Sequence, residues 1–472
     1  MSILAAVSLI RILELGGLIV AAIIALGIVV FIHEWGHFMA GRRAGIRAEA
    51  FSIGFGPVLW RRKVGETEYR LSAILFGGYV KFAGMEGTAD KTPQEIERGF
   101  YAASPGRRIF TTFAGPFMNA VLAFVLFFVL WATGRKVHES EATTVIGGLL
   151  DGSAAEQAGL RPGDRILSIS GRNVARWIDV LMGIRLGGDP LKIEFERAGR
   201  VMHLEVKPDY VRKVPKLGIE PQYQAVVRVV QDGTEAERMG LLPDDRLLKL
   251  NGERVYNGES WFRELPRHAG EPIEITVERE GETLALKGTM PVAEAGKQAI
   301  LGFGLGPARE FVTIRENPVE ASVYCLDMVG RTLKGLVTRR VQAKELGGPI
   351  FIVSAIVVYL SVSFTSFLWL AAFISLNFVV INLLPIPVVD GGHIVFSLVE
   401  AVRRKPMREK TMAIITNAFA VLIIAFFLYI TFYDIKRLIP SREEESTSPA
   451  ADKPAAEQAE PEAPEPAGAP VE

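Results

Sequence analysis

Long apolar runs without a charged residue constrain this chain more than any other feature. Ile109–Gly134 contains no charge over 26 residues, and Thr411–Tyr433 contains none over 23. A third apolar stretch begins near Gly16 and continues to Met39. A helix needs about 20 apolar residues to cross a bilayer, so each run is long enough for one crossing. The chain is therefore predicted to fold as a polytopic α-helical membrane protein.

The apolar run 346–389 is too long for one crossing, because it lacks a charge over 44 residues. Gly347-Gly348-Pro349 stands near its start, and hydroxyl residues interrupt it between Ser361 and Ser366. We predict a re-entrant or surface-lying helix near Ile350–Leu360 and a span over Phe367–Leu384. The total is four transmembrane helices plus this segment. A fifth full crossing is the alternative, but it would leave the two motifs described next on opposite sides of the membrane.

The pentapeptide His33-Glu34-Trp35-Gly36-His37 follows the apolar stretch Gly16–Ile32 without a polar break. Residues four apart lie on one face of a helix, so the imidazoles of His33 and His37 can bind one Zn²⁺. Glu34 lies between them, where a carboxylate can act as the general base of a zinc hydrolase. Ionisable residues in a membrane span are costly and usually functional. The motif therefore predicts a protease that acts within the membrane.

A catalytic zinc site needs a third protein ligand from another segment. Asp390 is our candidate, because it follows the third predicted span in the string N-L-L-P-I-P-V-V-D-G that starts at Asn382. The prolines of this string break the helix and free the carboxylate to face a cavity. His393 is the rival ligand. We favour Asp390 and expect His393 beside the ligands or in solvent.

The distribution of basic residues orients the predicted spans, because cytoplasmic loops are enriched in Lys and Arg. Two loops carry such clusters: Arg42, Arg43, Arg47, Arg61, Arg62, Lys63, Arg107 and Arg108 after the first span, and Arg403, Arg404, Lys405, Arg408 and Lys410 after the third. Both loops are therefore expected in the cytoplasm. The histidine motif then lies toward the cytoplasmic side, and residues 135–345 lie on the opposite side.

That long region contains a repeat with a period of 81 residues. Between Asp151 and Val174, 12 of 24 positions are identical at this offset. The string A-G-L-x-P-G-D-x-I-L-x-I-x-G of the first copy resembles PDZ domains of membrane and periplasmic proteases. The second copy has Asp244 where the usual glycine stands, so its turn is less certain. PDZ domains bind extended peptides or C-termini at a sheet edge. The alternative is that the copies only exclude bulky partners.

The two motifs together resemble the signature of the site-2 protease family, and two tandem PDZ-like domains between spans two and three are typical of one bacterial group within it. The resemblance covers about residues 15–440. Three further segments match that group: Gly54-Phe55-Gly56-Pro57, Gly77-Gly78-Tyr79-Val80-Lys81 and Gly115-Pro116-Phe117-Met118-Asn119. The family's third-span asparagines align with Asn377 and Asn382.

The resemblance implies a zinc-dependent endopeptidase of the bacterial inner membrane, with the PDZ-like domains in the periplasm. Its implied substrates are single-span membrane proteins, typically an anti-sigma factor that another protease has already trimmed, and remnants of cleaved signal peptides. Asn382 is predicted to hold the substrate backbone or oxyanion, with capping of the broken helix as the equal alternative. Residues 66–86 are predicted to form a hairpin that pairs with an extended substrate near Gly78 and Tyr79, and a plain cytoplasmic hairpin is the alternative.

The predicted domain order follows from these features. It comprises 1–134 with two spans and a membrane-associated hairpin, PDZ-like domains at 138–210 and 222–292, a linker with a membrane-surface helix at 293–366, two spans at 367–440, and a disordered tail at 441–472. The 53 basic and 53 acidic residues cancel, and nothing suggests nucleic-acid binding. Cys325 is the only cysteine, which excludes an intramolecular disulfide. A catalytically silent PDZ scaffold and a transporter with a metal site are competing hypotheses, although no inverted repeat supports the latter.

Overall fold

The computed structural model of the protein describes residues 3–85, 95–211, 214–292, 300–307 and 311–438. The predicted disordered tail, 441–472, lies outside the described residues. The first helix, α1 (Ile3–Arg43), is continuous through the histidine motif. It is followed by strands β1 (Ala48–Val64) and β2 (Thr67–Phe82) and by helix α2 (Pro105–Thr133). Helices α1 and α2 pack closely, since a Cβ on Gly36 would lie 2.3 Å from the Ala114 carbonyl oxygen.

Strands β1 and β2 bend and form four strand segments instead of the predicted hairpin. Segment 50–53 pairs with 78–81 on one side and with 68–71 on the other, and segment 58–64 pairs with 67–72. Residues 68–71 and 78–81 therefore flank β1 and do not pair with each other, so the predicted hairpin was wrong. The reason is local: Gly54, Gly56 and Gly77 have φ of 88°, 82° and 128°, which lets the chain turn within each strand. Segment 78–82 is an edge of this sheet.

Strand β3 (Arg135–His138) follows α2 and leads into a first β-unit, residues 146–221. This unit contains β4 (Ile146–Leu149), α3 (Ala154–Gln157), β5 (Arg165–Ile169), β6 (Arg172–Asn173), α4 (Trp177–Leu186), β7 (Leu191–Arg197), β8 (Arg200–Val206), β9 (Asp209–Val211), β10 (Val214–Lys216) and β11 (Ile219–Pro221). Its main sheet has the order β6-β5-β7-β8, and β11 pairs with β4. Apolar side chains of α4 and β7, including Val180 and Phe195, fill its core.

A second β-unit, residues 225–307, repeats this design. It contains β12 (Ala225–Val230), α5 (Glu235–Arg238), β13 (Arg246–Leu250), β14 (Glu253–Arg254), α6 (Gly258–Glu264), β15 (Pro272–Arg279), β16 (Glu282–Thr289) and β17 (Phe303–Pro307). Its sheet has the order β16-β15-β13-β12-β17 around the buried Trp261. Asp244 has φ of 70°, so the turn survives without the usual glycine. The two β-units extend beyond residues 210 and 292, the predicted domain ends, because β11 pairs with β4 and β17 pairs with β12.

Strand β18 (Phe311–Ile314) pairs with β3 and brings the chain back to the end of α2. Five helices follow: α7 (Pro318–Val337), α8 (Pro349–Val362), α9 (Phe364–Leu383), α10 (Asp390–Arg403) and α11 (Glu409–Leu438). Among the described residues, five helical segments are long and apolar enough to cross a membrane: Gly16–Arg43, Pro105–Thr133, Ala343–Val362, Phe364–Leu383 and Lys410–Arg437. The polytopic helical membrane architecture is thus confirmed.

Helix α8 differs from the other four apolar segments in length and in how its ends are held. Its 14 residues span about 21 Å at 1.5 Å per residue, less than a hydrocarbon core of about 30 Å. Its first turn is capped by Asp434, near the end of α11, through the backbone N–H groups of Gly348 and Phe351. Its last residue is followed by Ser363 and by Ser366, whose hydroxyl donates to the Lys136 carbonyl beyond α2. This arrangement favours a helix that does not span, and the count of four crossings stays a prediction.

Candidate active site

The two histidines of the first motif lie one turn apart on α1 and are both buried. Their Nε2 atoms are 3.0 Å apart, and their side chains are less than about one-tenth exposed. The i,i+4 spacing places both rings on the face of α1 that packs against α2. Gly115 of α2 makes room for them, because a Cβ there would lie 2.2 Å from His37 Nε2.

Asp390 completes a cluster of three potential ligands. Helix α9 ends at Leu383, and the proline-containing string leads directly into α10, which starts at Asp390. The carboxylate lies 3.1 Å from His33 Nε2 and 3.4 Å from His37 Nε2. One ligand atom from each of the three residues lies within 4.8 Å of the others, and no other such group occurs in the part of the chain that the structure describes.

The donor set of this cluster suits Zn²⁺. Two imidazole nitrogens and one carboxylate oxygen are a known ligand combination of catalytic zinc sites, which keep a fourth position open. The three atoms that face each other are all lone-pair donors when the histidines are neutral, so a cation between them would offset their repulsion. The sequence placed the third ligand at Asp390, and the structure brings that residue to the histidines.

His393 lies near the cluster but outside it. Its ring lines the same cavity and contacts the rings of Phe100 and Phe396 at their edges. Its Nδ1 is buried without a hydrogen-bond partner among the described residues. The structure therefore places the rival ligand beside the three-residue cluster.

Glu34 shares a cavity of about 260 Å³ with the three ligands. The walls of the cavity come from α1, α2, segment 78–82 and the loop before α10. Val80 of the edge segment lines this cavity together with the Glu34 side chain. A Cβ on Gly78 would lie 3.3 Å from Glu34 Cγ, so the edge segment approaches the carboxylate as closely as a glycine allows. A carboxylate in this position faces any substrate that enters the cavity.

The edge segment lies deep along α1. The carbonyl oxygen of Leu75 is 3.5 Å from the position of a Cβ on Gly27, and Gly27 precedes Arg43 by 16 residues. At 1.5 Å per residue, the sheet therefore reaches about 24 Å from Arg43, the last residue of α1, toward the N-terminus of the helix. Non-helical backbone at membrane depth is tolerated only where it is buried in protein or lines a cavity. Segment 78–82 meets the second condition.

The predicted substrate-binding residues divide into two groups. Asn382 and Tyr79 line the cavity, and Gly78 borders it. The Tyr79 ring stacks on Phe55, and its hydroxyl accepts a hydrogen bond from Arg70 at 3.1 Å. Asn377 does not line the cavity, because its amide donates to the Phe373 carbonyl one turn earlier in α9 at 2.8 Å.

Two supporting interactions were missed by the sequence analysis. His37 Nδ1 lies 2.9 Å from the Thr111 carbonyl oxygen of α2. Arg108 forms a buried ion pair with Glu400 of α10, although the sequence analysis counted this arginine only as a topology signal. Glu400 also accepts from the Met407 backbone N–H at 2.8 Å. Only the match of segment 115–119 to the family group hinted that α2 belongs to the site.

Comparisons with known proteins agree with this geometry. The sequence model of peptidase family M50 matches residues 21–426. The chain is 30% identical over 449 residues to the regulator of sigma-E protease of Escherichia coli K12, covering 88% of this chain and 98% of that protein. It is 31% identical over 446 residues to the regulator of sigma E protease of Haemophilus influenzae, with 88% and 98% coverage.

A further relative carries zinc in its name. The chain is 32% identical over 451 residues to a protein of Vibrio cholerae serotype O1 that is named as a zinc metalloprotease, covering 89% of this chain and 98% of the relative. Both motifs fall within the matched residues, and the apolar helices described above embed the chain in a membrane. The chain therefore belongs to peptidase family M50, the site-2 protease family, and is a zinc metalloendopeptidase of the membrane.

Proposed function

We propose that this protease cleaves single-span membrane proteins within their membrane segment. One observation carries the proposal: Glu34 and the cluster of His33, His37 and Asp390 share one cavity among apolar helices. Two relatives are named for the regulation of sigma-E. By resemblance to the family, the first substrate class is an anti-sigma factor that another protease has already cut once in an envelope-stress response. Remnants of signal peptides are a second class, by resemblance to the family.

Each residue of the cavity has a proposed role. His33, His37 and Asp390 hold Zn²⁺, which when bound acts as a Lewis acid that polarises the scissile carbonyl and lowers the pKa of water. Glu34 takes the proton of the attacking water and returns it to the leaving amine. Asn382 donates its amide to the substrate backbone or to the oxyanion, and capping of the end of α9 is its alternative role.

The substrate must unwind before it can be cut, because helical hydrogen bonds shield its peptide bonds. We propose that the unwound stretch pairs with the free edge of segment 78–82 by strand addition. The Ala83 N–H donates to the Arg47 carbonyl, so the backbone groups of Ala83 face β1, and those of Tyr79, four residues earlier, are expected to face it too. Successive residues alternate, so the backbone groups of Gly78 and Val80 point to the cavity.

Replacing Gly78 with valine tests this docking edge, because a Cβ there would lie 2.7 Å from the Ser52 carbonyl and 3.3 Å from Glu34 Cγ. We expect kcat/KM for a membrane substrate to fall at least about 10-fold with zinc still bound. Gly65→Val is the matched control, since Gly65 lies in the distal turn with nothing within 4 Å. Gly65 has φ of 62°, so Gly65→Asn serves if the valine variant is unstable. Unchanged cleavage by Gly78→Val would contradict the docking edge.

The two β-units are proposed to be PDZ-like domains that either bind peptide ends or exclude bulky partners. Strands β11 and β17 are sheet edges and follow similar Leu-Gly pairs, Leu217-Gly218 and Leu301-Gly302. Substrates with a folded tag of increasing size separate the two roles. A size filter predicts a cutoff that is independent of the peptide sequence, and peptide binding predicts saturable competition by free peptides.

We infer from the basic residues that the active site lies toward the cytoplasm and the β-units in the periplasm of an inner membrane. Cysteine labelling tests this orientation in a Cys325→Ser background. Glu282→Cys in the second β-unit should react with an impermeant maleimide added outside the inner membrane. Arg404→Cys, after α10, should react only after permeabilisation. The reverse pattern would overturn the orientation.

Cleavage of a tagged single-span anti-sigma-type substrate tests the function itself. The purified wild type should cut within the span, and Glu34→Gln should keep zinc and lose cleavage. Glu282→Gln, an exposed residue of β16, is the control that should behave as the wild type. If the wild type binds zinc but cuts no truncated substrate, the scaffold hypothesis replaces this one.

A further inference from the structure

The ring nitrogens of His33 and His37 that point away from Asp390 both face α2. His37 Nδ1 lies 2.9 Å from the Thr111 carbonyl oxygen. A carbonyl can only accept, so this Nδ1 carries the proton and Nε2 keeps its lone pair toward Asp390. The second hydrogen bond of His37 therefore selects the tautomer that a metal ligand needs.

His33 has a different neighbour on the same helix. Its Nδ1 lies 3.4 Å from the side-chain amide of Asn119, and Asn119 is fully buried. As the amide is oriented, its nitrogen faces Nδ1, and its Oδ1 is buried without a partner among the described residues. The oxygen and nitrogen of an amide are assigned from their hydrogen bonds, so the amide can also be turned by 180°. Oδ1 then faces His33 Nδ1, and the amide nitrogen takes the position without a partner. In this orientation Oδ1 accepts the proton of His33 Nδ1.

We propose that Asn119 is a positioning residue that fixes the tautomer and the ring orientation of His33 for zinc binding. The inference rests on the zinc site described above and extends it to a residue that neither motif contains. Thr111, Gly115 and Asn119 lie at i, i+4 and i+8 on one face of α2, so a single helix face supports both histidines. Asn119 is itself held in place, because the Ser375 hydroxyl of α9 donates to its backbone carbonyl at 2.9 Å.

Among the described residues, Asn119 has no hydrogen bond to Asp390 or Glu34 and does not line the cavity, so we expect it to act on zinc through His33. Loss of an outer hydrogen-bond partner of a metal-bound histidine typically weakens metal binding by 10- to 100-fold. Asn119→Leu removes the acceptor and keeps the approximate volume. Asn119→Asp keeps an oxygen acceptor at the same position, so it should restore the interaction.

Zinc affinity of the purified full-length chain, measured by chelator competition without substrate, tests the proposal. We expect the zinc dissociation constant to rise about 10- to 100-fold for Asn119→Leu and to stay within about threefold of the wild type for Asn119→Asp. The matched control is Asn417→Leu, because Asn417 is an exposed asparagine of α11. It should bind zinc as the wild type does.

Two results would overturn the proposal: wild-type affinity in Asn119→Leu, or an equal loss in the leucine and aspartate variants. If Asn119→Leu fails to fold, Asn119→Ala takes its place in the same comparison. The visible spectrum of the Co²⁺-loaded protein supplies a second readout, and it should change in the leucine variant and not in the aspartate variant. Failure of the wild type to bind zinc would instead remove the metal site, so the two hypotheses fail separately.

Discussion

The buried aspartates of the β-units and the cluster of His33, His37 and Asp390 in the membrane part serve different ends. In the first β-unit, Asp164 is buried and accepts from the guanidinium of Arg197 at 2.7 Å. In the second, Asp245 accepts from Arg279 at 2.6 Å. Each aspartate also accepts a hydrogen bond from the backbone N–H of the residue three positions before it. Each arginine also donates a hydrogen bond to a glycine carbonyl, that of Gly159 or Gly240. The same satisfied arrangement thus occurs twice.

Among the described residues, the cluster of His33, His37 and Asp390 occurs once, and the Asp390 Oδ2 atom has no hydrogen-bond partner there. The three lone-pair donors of the cluster face each other, and the cavity in front of them contains Glu34. The comparison shows that burial of charge alone does not identify a functional site. Repetition and complete pairing indicate a role in folding, and convergence of unpaired donors on a cavity indicates chemistry.

The largest expected effect is the loss of zinc in Asp390→Asn. An amide binds Zn²⁺ far more weakly than a carboxylate, so cleavage should fall by more than about 10²-fold together with zinc content. Asp434→Asn is the matched control, because Asp434 is also buried in the membrane part but caps α8. Equal zinc loss in both variants would erase the distinction between a ligand and a structural carboxylate. Metal analysis of both purified variants measures their zinc content.

Gly115→Ala should have the next largest effect. Its Cβ would lie 2.2 Å from His37 Nε2, so α2 or the ring must move. We expect zinc affinity to fall on the order of 10-fold, as for a displaced ligand. Gly106→Ala on the same helix has nothing within 4 Å and should bind zinc normally. Wild-type affinity in Gly115→Ala would show that the packing of α2 does not control the site.

Asp164→Asn should weaken the first β-unit and leave zinc binding unchanged. Hydrogen bonds to a charged group contribute about 1.5–3 kcal/mol, and we expect about 2 kcal/mol because the Arg197 side chain is 26% exposed. This loss corresponds to about 30-fold faster hydrogen exchange in β5 and β7 of the full chain. Asp245→Asn should have the same effect in β13 and β15. A change in zinc affinity in either variant would contradict the separation of the two regions.

The smallest expected effect concerns the contact between the two β-units. Glu220 of β11 and Arg263 of α6 form a two-pronged ion pair at 2.7 and 3.0 Å, with side chains 22% and 23% exposed. A double-mutant cycle of Glu220→Gln and Arg263→Met should give a coupling of about 1 kcal/mol, measured by hydrogen exchange in β4 and β11. A coupling near zero would mean that this ion pair does not join the units, and that other contacts such as the Arg267–Asp151 ion pair do.

Local spacing predicted the part of the site that lies on one helix. The i,i+4 pattern placed His33 and His37 together, and the proline-broken end of the third span pointed to Asp390. Spacing does not tell which neighbouring helix faces the histidines, so it did not predict their contacts with Thr111 and Asn119. Arg108 was misjudged for the same reason, since only tertiary packing pairs it with Glu400.

The β-structure shows a similar limit. Alternation predicted the strands β5 and β7, but the turns inside β1 and β2 depend on left-handed glycines that alternation does not reveal. The closing strands β11 and β17 recur at an offset of 84 residues, as Ile219 and Phe303 show, and therefore escaped the 81-residue period.

Helix α2 is linked to the first β-unit through a series of strand and side-chain contacts. It continues into β3, β3 pairs with β18, and β18 leads to α7, where Tyr324 lies under the guanidinium of Arg176 from the first β-unit. The same helix contacts the rings of His33 and His37 through Thr111, Gly115 and Asn119. A rotation of α2 by one residue, about 100°, would therefore withdraw all three contacts at once. A displacement of the first β-unit that turned α2 would therefore also change the surroundings of His33 and His37.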